Sequence, residues 1–548
     1  MATAAPSSTP PIAARAGVRA WGVAALTAIA ALYLSGVASW LVPALGQERE
    51  AGWVALVWAA AVAAAVRLGD PLERMPLIVR LLQALRNLDS RRMAAVAALF
   101  TLAWGALGAR RFDAFVQRAF DLSIFDQAIW TTAQGSLLFS SLKGDIVLLG
   151  DHSSPILAAI APLYRLVPDS RLLYFLQAGS FALAAIAVLR LARTQLGPGA
   201  LAALFPLAFL LQGPLQGLML HEFHPEVFAV PLLLFALVAL VERRVVTLFV
   251  LAALALTCKE TTALAVAGLG LVAFTRRWWS AGLALVALGV ATFAFDVLYV
   301  IPHYLGHGTP YVGRYSHLGG SMSEVLLSPV LRPLDVLKYL VVPTLKLEGV
   351  ARLLLPFGLT GLGGPGALLG ALPNYLANAM SNAPTMWNVR AQYHCEEMAF
   401  VAAASVFGTA KLLKRWPTRR RWIAGLVAAC ALAQIGRPWG VLWVQSATTE
   451  RTRLWSEQLA KLPVDVAVSA DTQSATHLAH RFKLFLFPDR LAEAQCVAVD
   501  TRVVDHAWHA SPEQTKAAID SLPAMGFAPR FEQDGLLVAC RRPAEGAP

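Results

Sequence analysis

The sequence predicts an all-α polytopic membrane protein that consists of a bundle of about 13 transmembrane helices and a small α/β domain at its C-terminus. Of its 548 residues, 57% are hydrophobic and only 15% are charged, whereas soluble proteins carry about 25% charged residues. Lysine and arginine are gathered in short runs between apolar segments, which is typical of cytoplasmic membrane loops. The net charge of +12 therefore reflects membrane topology, and no nucleic-acid partner is expected.

The N-terminal part is predicted to anchor the chain. Residues 1–19 are small and polar, which indicates a disordered cytoplasmic N-terminus. The apolar segments Ala20–Val42 and Trp53–Leu68 then approach the length of about 20 residues that a spanning helix needs. An arginine-rich stretch ends at Arg92, so residues 20–92 are expected to form two spans and a basic cytoplasmic linker.

Residues 93–448 are predicted to form the transmembrane core. Its large outer loop, at residues 109–171, contains an apolar run, Pro155–Val167, that is too short for a span and is expected to lie along the outer surface. Val350–Leu362 and Gly364–Leu376 are either two short spans or one. The other predicted spans of the core are Met93–Gly108, Leu172–Leu191, Pro198–Gln216, Glu226–Val241, Val245–Cys258, Thr261–Thr275, Ser280–Ile301, Cys395–Ala410 and Trp422–Trp443.

The tail, residues 449–548, is less apolar and has mixed β and α patterning. VDVAVSA, KLFLFP and CVAVD are typical of strands. PEQTKAAIDSLPAMG predicts a helix capped by Ser511, and FEQDGLLVACRR predicts a hairpin with Asp-Gly in its turn. We expect an extracytoplasmic α/β domain, in which Cys496 and Cys540 could pair, although two cysteines alone do not fix their distance.

The stretch FDLSIFDQAIW, Phe120–Trp130, contains the strongest catalytic candidates. Its two acids stand beside bulky apolar side chains at a membrane edge, where carboxylates are costly to keep and usually functional. Residues five apart on a helix are about 140° from each other, so Asp121 and Asp126 do not share a face. We therefore expect Asp121 to be the general base or a metal ligand, with Asp126 as the second choice.

A second polar cluster, HEFHPE, offers candidate metal ligands. His221, Glu222 and His224 could surround a divalent cation such as Mg or Mn. A lone His-x-x-His pair is not a zinc signature, and histidines that form hydrogen bonds at a helix start explain it equally well.

Further groups are candidates for binding substrate or phosphate. Lys259 and Glu260 interrupt an apolar hairpin, where charges are rare, and the lysine can either pair with Glu260 or bind phosphate as a point charge. The remaining candidates for an anionic group are His152, Arg314, Arg390 and His394.

The topology places these clusters on one face of the membrane. If the basic loops are cytoplasmic, then all the polar clusters lie at or just under the outer surface. Acids, a divalent cation and basic groups together fit the handling of a lipid-linked phosphate, with a carboxylate that deprotonates an acceptor hydroxyl. A transporter or flippase would instead need polar groups at midplane depth, and a non-catalytic scaffold would need no reactive acid.

Several segments resemble a family of bacterial integral-membrane proteins named as a domain of unknown function, from about Arg92 to near the C-terminus. The segments are FDLSIFDQAIW, GDHSSPILAAIAPLYRL, LYFLQA, HEFHPEVFAVPLLLFAL, CKE, LPNYLANAMSN with QYH, and VSADTQSATHLAHRFKLFLFP. That family is distantly similar to the GT-C glycosyltransferases, which use polyprenyl-phosphate sugars.

The resemblance implies a function and its partners. It implies transfer of a sugar from a polyprenyl-phosphate donor to a cell-envelope acceptor, among the lipids of the bacterial inner (plasma) membrane and at its outer face. In GT-C enzymes an acid in the first large outer loop is catalytic or binds metal, and by position this is Asp121, then Asp126. The Asp-Glu pair of many such enzymes is absent, since Leu122 follows Asp121.

Overall fold

The structure is a computed structural model that describes residues 76–307, 310–342, 345–434, 439–502 and 510–541. The predicted spans Ala20–Val42 and Trp53–Leu68 lie outside these residues. The described chain forms a helical bundle, followed by a small domain built on a five-stranded sheet.

The helices of the bundle follow the apolar segments of the sequence. In chain order they are α1 (Pro76–Arg86), α2 (Ser90–Asp113), α3 (Leu122–Ala133), α4 (Ile156–Leu166), α5 (Leu172–Leu196), α6 (Ala200–Leu211), α7 (Gly213–Leu220), α8 (Ala229–Val241), α9 (Val245–Leu256), α10 (Thr262–Thr275), α11 (Trp279–Phe295), α12 (Ile301–Leu305), α13 (Met322–Leu331), α14 (Pro333–Val341), α15 (Leu345–Leu354), α16 (Pro365–Met380), α17 (Cys395–Arg415), α18 (Arg420–Leu432) and α19 (Trp439–Gln445). A two-stranded ribbon, β1 (Phe139–Ser140) with β2 (Ile146–Val147), lies in the loop between α3 and α4.

Four helices of the described chain are long and apolar enough to cross a membrane: Ser90–Asp113, Leu172–Leu196, Ala200–Leu220 and Trp279–Leu305. Each contains most of a predicted span. The other apolar helices of the same part of the chain have 10–17 residues, so the expected number of 13 crossings is not confirmed.

Of the two alternatives for residues 350–376, the structure does not support a separate span at Val350–Leu362. Helix α15 ends at Leu354, and two short 3₁₀ turns follow it. Pro356 cannot continue an α-helical hydrogen-bond ladder, and Gly358 adopts a left-handed conformation with φ of 66°. The second predicted segment, Gly364–Leu376, does become a helix, which Pro365 opens.

The basic loops meet at one end of the bundle. Arg190 binds Glu242 at 2.7 Å, and the Arg243 guanidinium donates to the backbone oxygen of Arg276 at 2.9 Å. The helical segment Ala200–Leu220, together with α9, leads away from this end towards the polar clusters, and α10 returns from them. The bundle therefore separates its basic loops from its polar clusters, as the sequence predicts.

The tail folds as the pattern predicts. After α20 (Glu450–Ala460) the strands are β3 (Val468–Ala470), β4 (Leu484–Leu486), β5 (Cys496–Asp500), β6 (Phe527–Gln533) and β7 (Leu536–Arg541), and α21 (Pro512–Ser521) precedes β6. The sheet order is β4-β3-β5-β7-β6, with β3 parallel to both of its neighbours and the others antiparallel. Ser511 caps α21, and Asp534 and Gly535 form the hairpin turn. Cys496 and Cys540 lie opposite each other on β5 and β7 and form a disulfide.

The C-terminal domain packs on the connection between α2 and α3. The ring of Phe115 stacks on His477 at 3.8 Å between centroids, and the Ala119 N–H donates to the Thr472 carbonyl at 2.7 Å. Trp455 shares an apolar core with Phe115. The domain therefore contacts the same segment that leads into Asp121.

Candidate functional site

The two acids of the Phe120–Trp130 stretch lie in different environments. Asp121 immediately precedes α3, and its side chain is 45% exposed. Asp126 lies one turn into the helix and is completely buried. The separation by about 140° that five residues impose on a helix accounts for this difference. Asp121 is therefore the acid that a substrate can reach.

Asp121 faces a buried histidine. His224 Nε2 lies 3.5 Å from Asp121 Oδ2, and the other ring nitrogen, Nδ1, donates to the backbone oxygen of Glu222 at 3.0 Å. Burial lowers the pKa of His224, but the Asp121 carboxylate outweighs burial and raises this pKa above its usual value. The geometry therefore favours an ion pair between an exposed carboxylate and a buried imidazolium.

The Asp121 carboxyl is held in its ionised form. Burial acts to raise its pKa. The positive charge of His224, followed by that of Lys259, outweighs burial and keeps the pKa of Asp121 below its usual range. Lys259 thus lies close enough for its charge to act on Asp121.

Lys259 binds a different partner from the one next to it in sequence. Its ammonium forms a salt bridge with Glu226, and both side chains are almost completely buried, at 6% and 2% exposure. The ammonium also lies 5.7 Å from the ring centroid of Tyr393. Glu226 Oε2 is buried without a hydrogen-bond partner among the described residues. The ammonium of Lys259 is therefore buried and paired, and its charge acts on Asp121.

Glu260 instead binds the loop that contains His152. Its Oε1 lies 2.8 Å from His152 Nδ1, and its Oε2 accepts from the Ser153 N–H at 3.1 Å. The His152 ring stacks on Tyr311 with 4.8 Å between centroids. The Tyr311 hydroxyl donates to Asp151 Oδ1 at 2.6 Å. These contacts fix the imidazole of His152 from two sides.

Two basic side chains pack against these groups, and one of them, Lys143, also reaches the Phe120–Trp130 stretch. Lys143 binds Asp151 at 3.0 Å and lies 5.5 Å from the ring centroid of Phe120, the residue before Asp121. The Arg314 guanidinium stacks on Tyr311 at 4.4 Å. Lys143 and Tyr311 were not expected from the sequence, because nothing in their local pattern distinguishes them from other loop residues.

Other predicted residues lie apart from these contacts. His394 is buried at the start of α17, where it binds Glu397 at 2.9 Å and the Met386 carbonyl at 3.0 Å. Arg390 is exposed and packs closely on Gly217. His394 therefore contributes to the packing of its own helix end, and neither residue has a described contact with Asp121.

The predicted metal site is not formed by its expected residues. His224 directs Nε2 towards Asp121, while His221 is half exposed and lies 3.9 Å from Glu222 Oε2. In the described ranges no group of three or more His, Cys, Asp or Glu is placed to hold a metal ion. Asp121 and His224 offer only two ligating side chains, fewer than a protein metal site usually has.

Asp126 joins three parts of the chain. Its carboxylate accepts from the Tyr164 hydroxyl at 2.5 Å and from the Ser170 hydroxyl at 2.6 Å, and lies 3.2 Å from His480 Nε2. Trp130 stacks on the same His480 ring. Asp126 is thus a buried acceptor that links α3 to α4, to the start of α5 and to the C-terminal domain, rather than an acid that faces a substrate.

A cavity of about 250 Å³ lies between the end of α2 and the C-terminal domain. Arg451, Arg502, Asp500 and Trp455 are among its lining residues, and none of the groups around Asp121 is. Arg451 binds both oxygens of Asp500 at 2.7 Å. The polar loops around Asp121 are a separate feature.

Comparison with known proteins shows the family. The chain belongs to the family described as "Predicted membrane protein (DUF2079)", whose model matches residues 111–538. This match confirms the resemblance drawn from the motifs. No curated protein matches the chain.

Two solved structures are similar to this chain at low sequence identity. One is a crystal structure of ArnT from Cupriavidus metallidurans bound to undecaprenyl phosphate, with 13% identity, a TM-score of 0.48, and coverage of 83% of this chain and 98% of that one. The other is the same protein in the apo state, with 12% identity, a TM-score of 0.46, and coverage of 82% and 98%.

Proposed function

We propose that this membrane protein transfers a sugar from a polyprenyl-phosphate-linked donor to a cell-envelope acceptor at the outer face of the bacterial inner membrane. The observation that carries the proposal is the surroundings of Asp121. This acid is accessible and ionised, while His224 and Lys259 place buried positive charge beside it. A fixed carboxylate beside fixed cations suits a reaction whose transition state carries positive charge on one group and negative charge on another.

Asp121 is the group that acts on the sugar. Glycosyl transfer passes through a transition state in which the anomeric carbon carries positive charge. A carboxylate with a depressed pKa stays negative throughout the pH range of the cell envelope and stabilises that charge. Its 45% exposure leaves it free to contact a ligand.

The basic side chains act on the leaving group. Breaking the bond between sugar and phosphate leaves additional negative charge on the phosphate oxygens. Lys143 and Arg314 are partly exposed on the loops that meet Phe120 and Tyr311. Both side chains present N–H donors that suit a phosphate. The buried ammonium of Lys259 adds a further positive charge to the site.

Two observations support the outer face. The basic loops lie at the end of the bundle away from Asp121, and such loops are usually cytoplasmic. The Cys496–Cys540 disulfide lies in the domain that packs beside the site, and disulfides persist in oxidising compartments. On this reading the C-terminal domain is extracytoplasmic.

A flippase for the same class of lipid is the second candidate. The nearly complete burial of Lys259 and Glu226 favours it, since buried charge pairs in membrane proteins often mark transport pathways. A flippase would move the intact lipid between leaflets without breaking the bond between sugar and phosphate. Product analysis therefore separates the two candidates.

The test is turnover by the full chain in lipid nanodiscs, with a panel of radiolabelled polyprenyl-phosphate sugars and release of polyprenyl phosphate as the readout. Asp121→Asn removes the charge at constant shape and should slow release by about 10²–10³-fold, the usual effect of losing one electrostatic stabiliser. Asp113→Asn is the matched control, because Asp113 is an exposed acid that binds Arg171 at 2.6 Å. Equal rates for wild type and Asp121→Asn would contradict the proposal and favour a non-catalytic scaffold.

A further inference from the structure

A histidine–carboxylate pair stands beside the proposed reactive acid. His152 and Glu260 are 108 residues apart in sequence, yet Nδ1 lies 2.8 Å from the Glu260 carboxylate. A carboxylate only accepts, so Nδ1 carries the proton in this pair, and in the neutral form of the ring Nε2 has a free lone pair. Within the part of the chain that the structure describes, no hydrogen bond to Nε2 is found. This is the arrangement that lets an imidazole take a proton from a hydroxyl.

The pair is rigid. The second oxygen of Glu260 accepts from the Ser153 N–H at 3.1 Å, which fixes the carboxylate. Tyr311 stacks on the imidazole at an interplanar angle of 6°. The side chain of His152 remains 18% exposed, whereas that of Glu260 is 7% exposed. A positioned ring with an accessible edge is what a general base needs.

Asp121 is poorly suited to the same task. A general base works best when its pKa lies near the operating pH. The pKa of Asp121 is held below its usual range, against the effect of burial, by the charges of His224 and Lys259. Asp121 therefore has little tendency to accept a proton, although it remains an effective fixed negative charge.

We propose that His152, oriented by Glu260, is the general base that deprotonates the acceptor hydroxyl, while Asp121 stabilises the sugar. This inference rests on the proposed function. The acceptor O–H proton moves to His152 Nε2, and the oxygen forms a bond to the anomeric carbon. The bond from that carbon to the phosphate oxygen breaks, and its electron pair leaves with polyprenyl phosphate. The imidazolium then loses its proton to solvent.

The charges around His152 suit this cycle. Glu260 and the neighbouring Asp151 are negative and stabilise the imidazolium that forms. Lys143 forms a salt bridge with Asp151, and the Arg314 guanidinium packs on Tyr311, the ring that stacks on His152. Asp296 binds the Ser153 hydroxyl at 3.0 Å, which adds a further acid behind Glu260.

The experiment measures kcat against pH, and the donor KM, in the nanodisc turnover assay. His152→Gln should lower kcat by about 10²–10⁴-fold with the donor KM within about threefold of wild type, since removal of a general base affects chemistry rather than binding. In His152→Ala, added imidazole should restore part of kcat. Glu260→Gln keeps the shape of the pair and should give a smaller loss. His303→Gln, on an exposed histidine, should match wild type.

The outcomes separate this inference from the function beneath it. If wild type turns over no donor in the panel, the proposed function and this inference both fail. If wild type is active and His152→Gln keeps its rate and pH profile, only the inference fails. A raised donor KM without imidazole rescue would make His152 a binding group and overturn its role as base. Equal Tm values for the variants confirm folding, and Glu260→Gln tests the same pair if His152→Gln is unstable.

Discussion

Removal of one partner from the buried Lys259–Glu226 pair is expected to destabilise the bundle strongly. The two side chains are 6% and 2% exposed, so Lys259→Met leaves a carboxylate in the interior without its cation. Breaking a buried ion pair in this way costs about 3–5 kcal/mol. Glu226 Oε2 already lacks a partner among the described residues, so no nearby donor offsets the loss.

The double variant Lys259→Met with Glu226→Leu separates the charge from the packing. Replacing both members of a buried pair by apolar side chains is often neutral or stabilising by about 1–4 kcal/mol. We therefore expect the double variant to recover most of the lost stability. It should still turn over donor slowly, because the positive charge that acts on Asp121 is gone.

The assay is thermal unfolding in nanodiscs, with Glu348→Gln as the control. Glu348 accepts from Arg352 at 2.8 Å in a partly exposed pair four residues apart. Such pairs contribute about 0.3–0.5 kcal/mol. Equal, small shifts in Tm for Lys259→Met and Glu348→Gln would refute the reasoning, since a buried charge cannot be left unpaired at so little cost.

Three further predictions concern pH, the buried acid and the disulfide. The Asp121–His224 ion pair contributes its full stability between the unfolded pKa of the acid, about 4, and the unfolded pKa of the histidine, about 6.5. The difference in Tm between wild type and Asp121→Asn should therefore be largest between these two pH values. The difference should shrink as the pH rises through the raised pKa of His224, or falls through the lowered pKa of Asp121. Asp126→Ala leaves two buried hydroxyls, those of Tyr164 and Ser170, and the partly exposed His480 ring without their acceptor, and it should lower the unfolding free energy by more than about 2 kcal/mol, whereas a shift as small as that of Glu348→Gln would contradict its burial. Replacing Cys496 and Cys540 by serine opens a loop of 44 residues and should destabilise the C-terminal domain by about 4 kcal/mol, and unchanged protease resistance of that domain would argue against the bond.

The sequence predicts those parts of the fold that depend on local pattern. Apolar length predicts Leu172–Leu196 within a few residues, and alternation with turn residues predicts the strands and the Asp534–Gly535 hairpin. The five-residue spacing also separates Asp121 from Asp126 correctly. Each of these follows from neighbours along the chain.

The partners of the site residues depend on the tertiary fold instead. Lys259 binds Glu226, 33 residues away, although Glu260 is adjacent to it. Asp126 meets His480 across 354 residues. Adjacent residues on an irregular turn point in different directions, so the pairing is set by how the helices pack, which no local pattern encodes. The same reason explains why Tyr311 and Lys143 escape detection.

The most direct test of the account is an experimental structure of the full chain in nanodiscs with a non-hydrolysable polyprenyl-phosphate sugar analogue. The account predicts that the sugar contacts the Asp121 carboxylate, that the phosphate lies against Lys143 or Arg314, and that His152 Nε2 faces the acceptor side of the anomeric carbon. A headgroup bound in the cavity lined by Arg451 and Arg502, with no contact to Asp121, would contradict it.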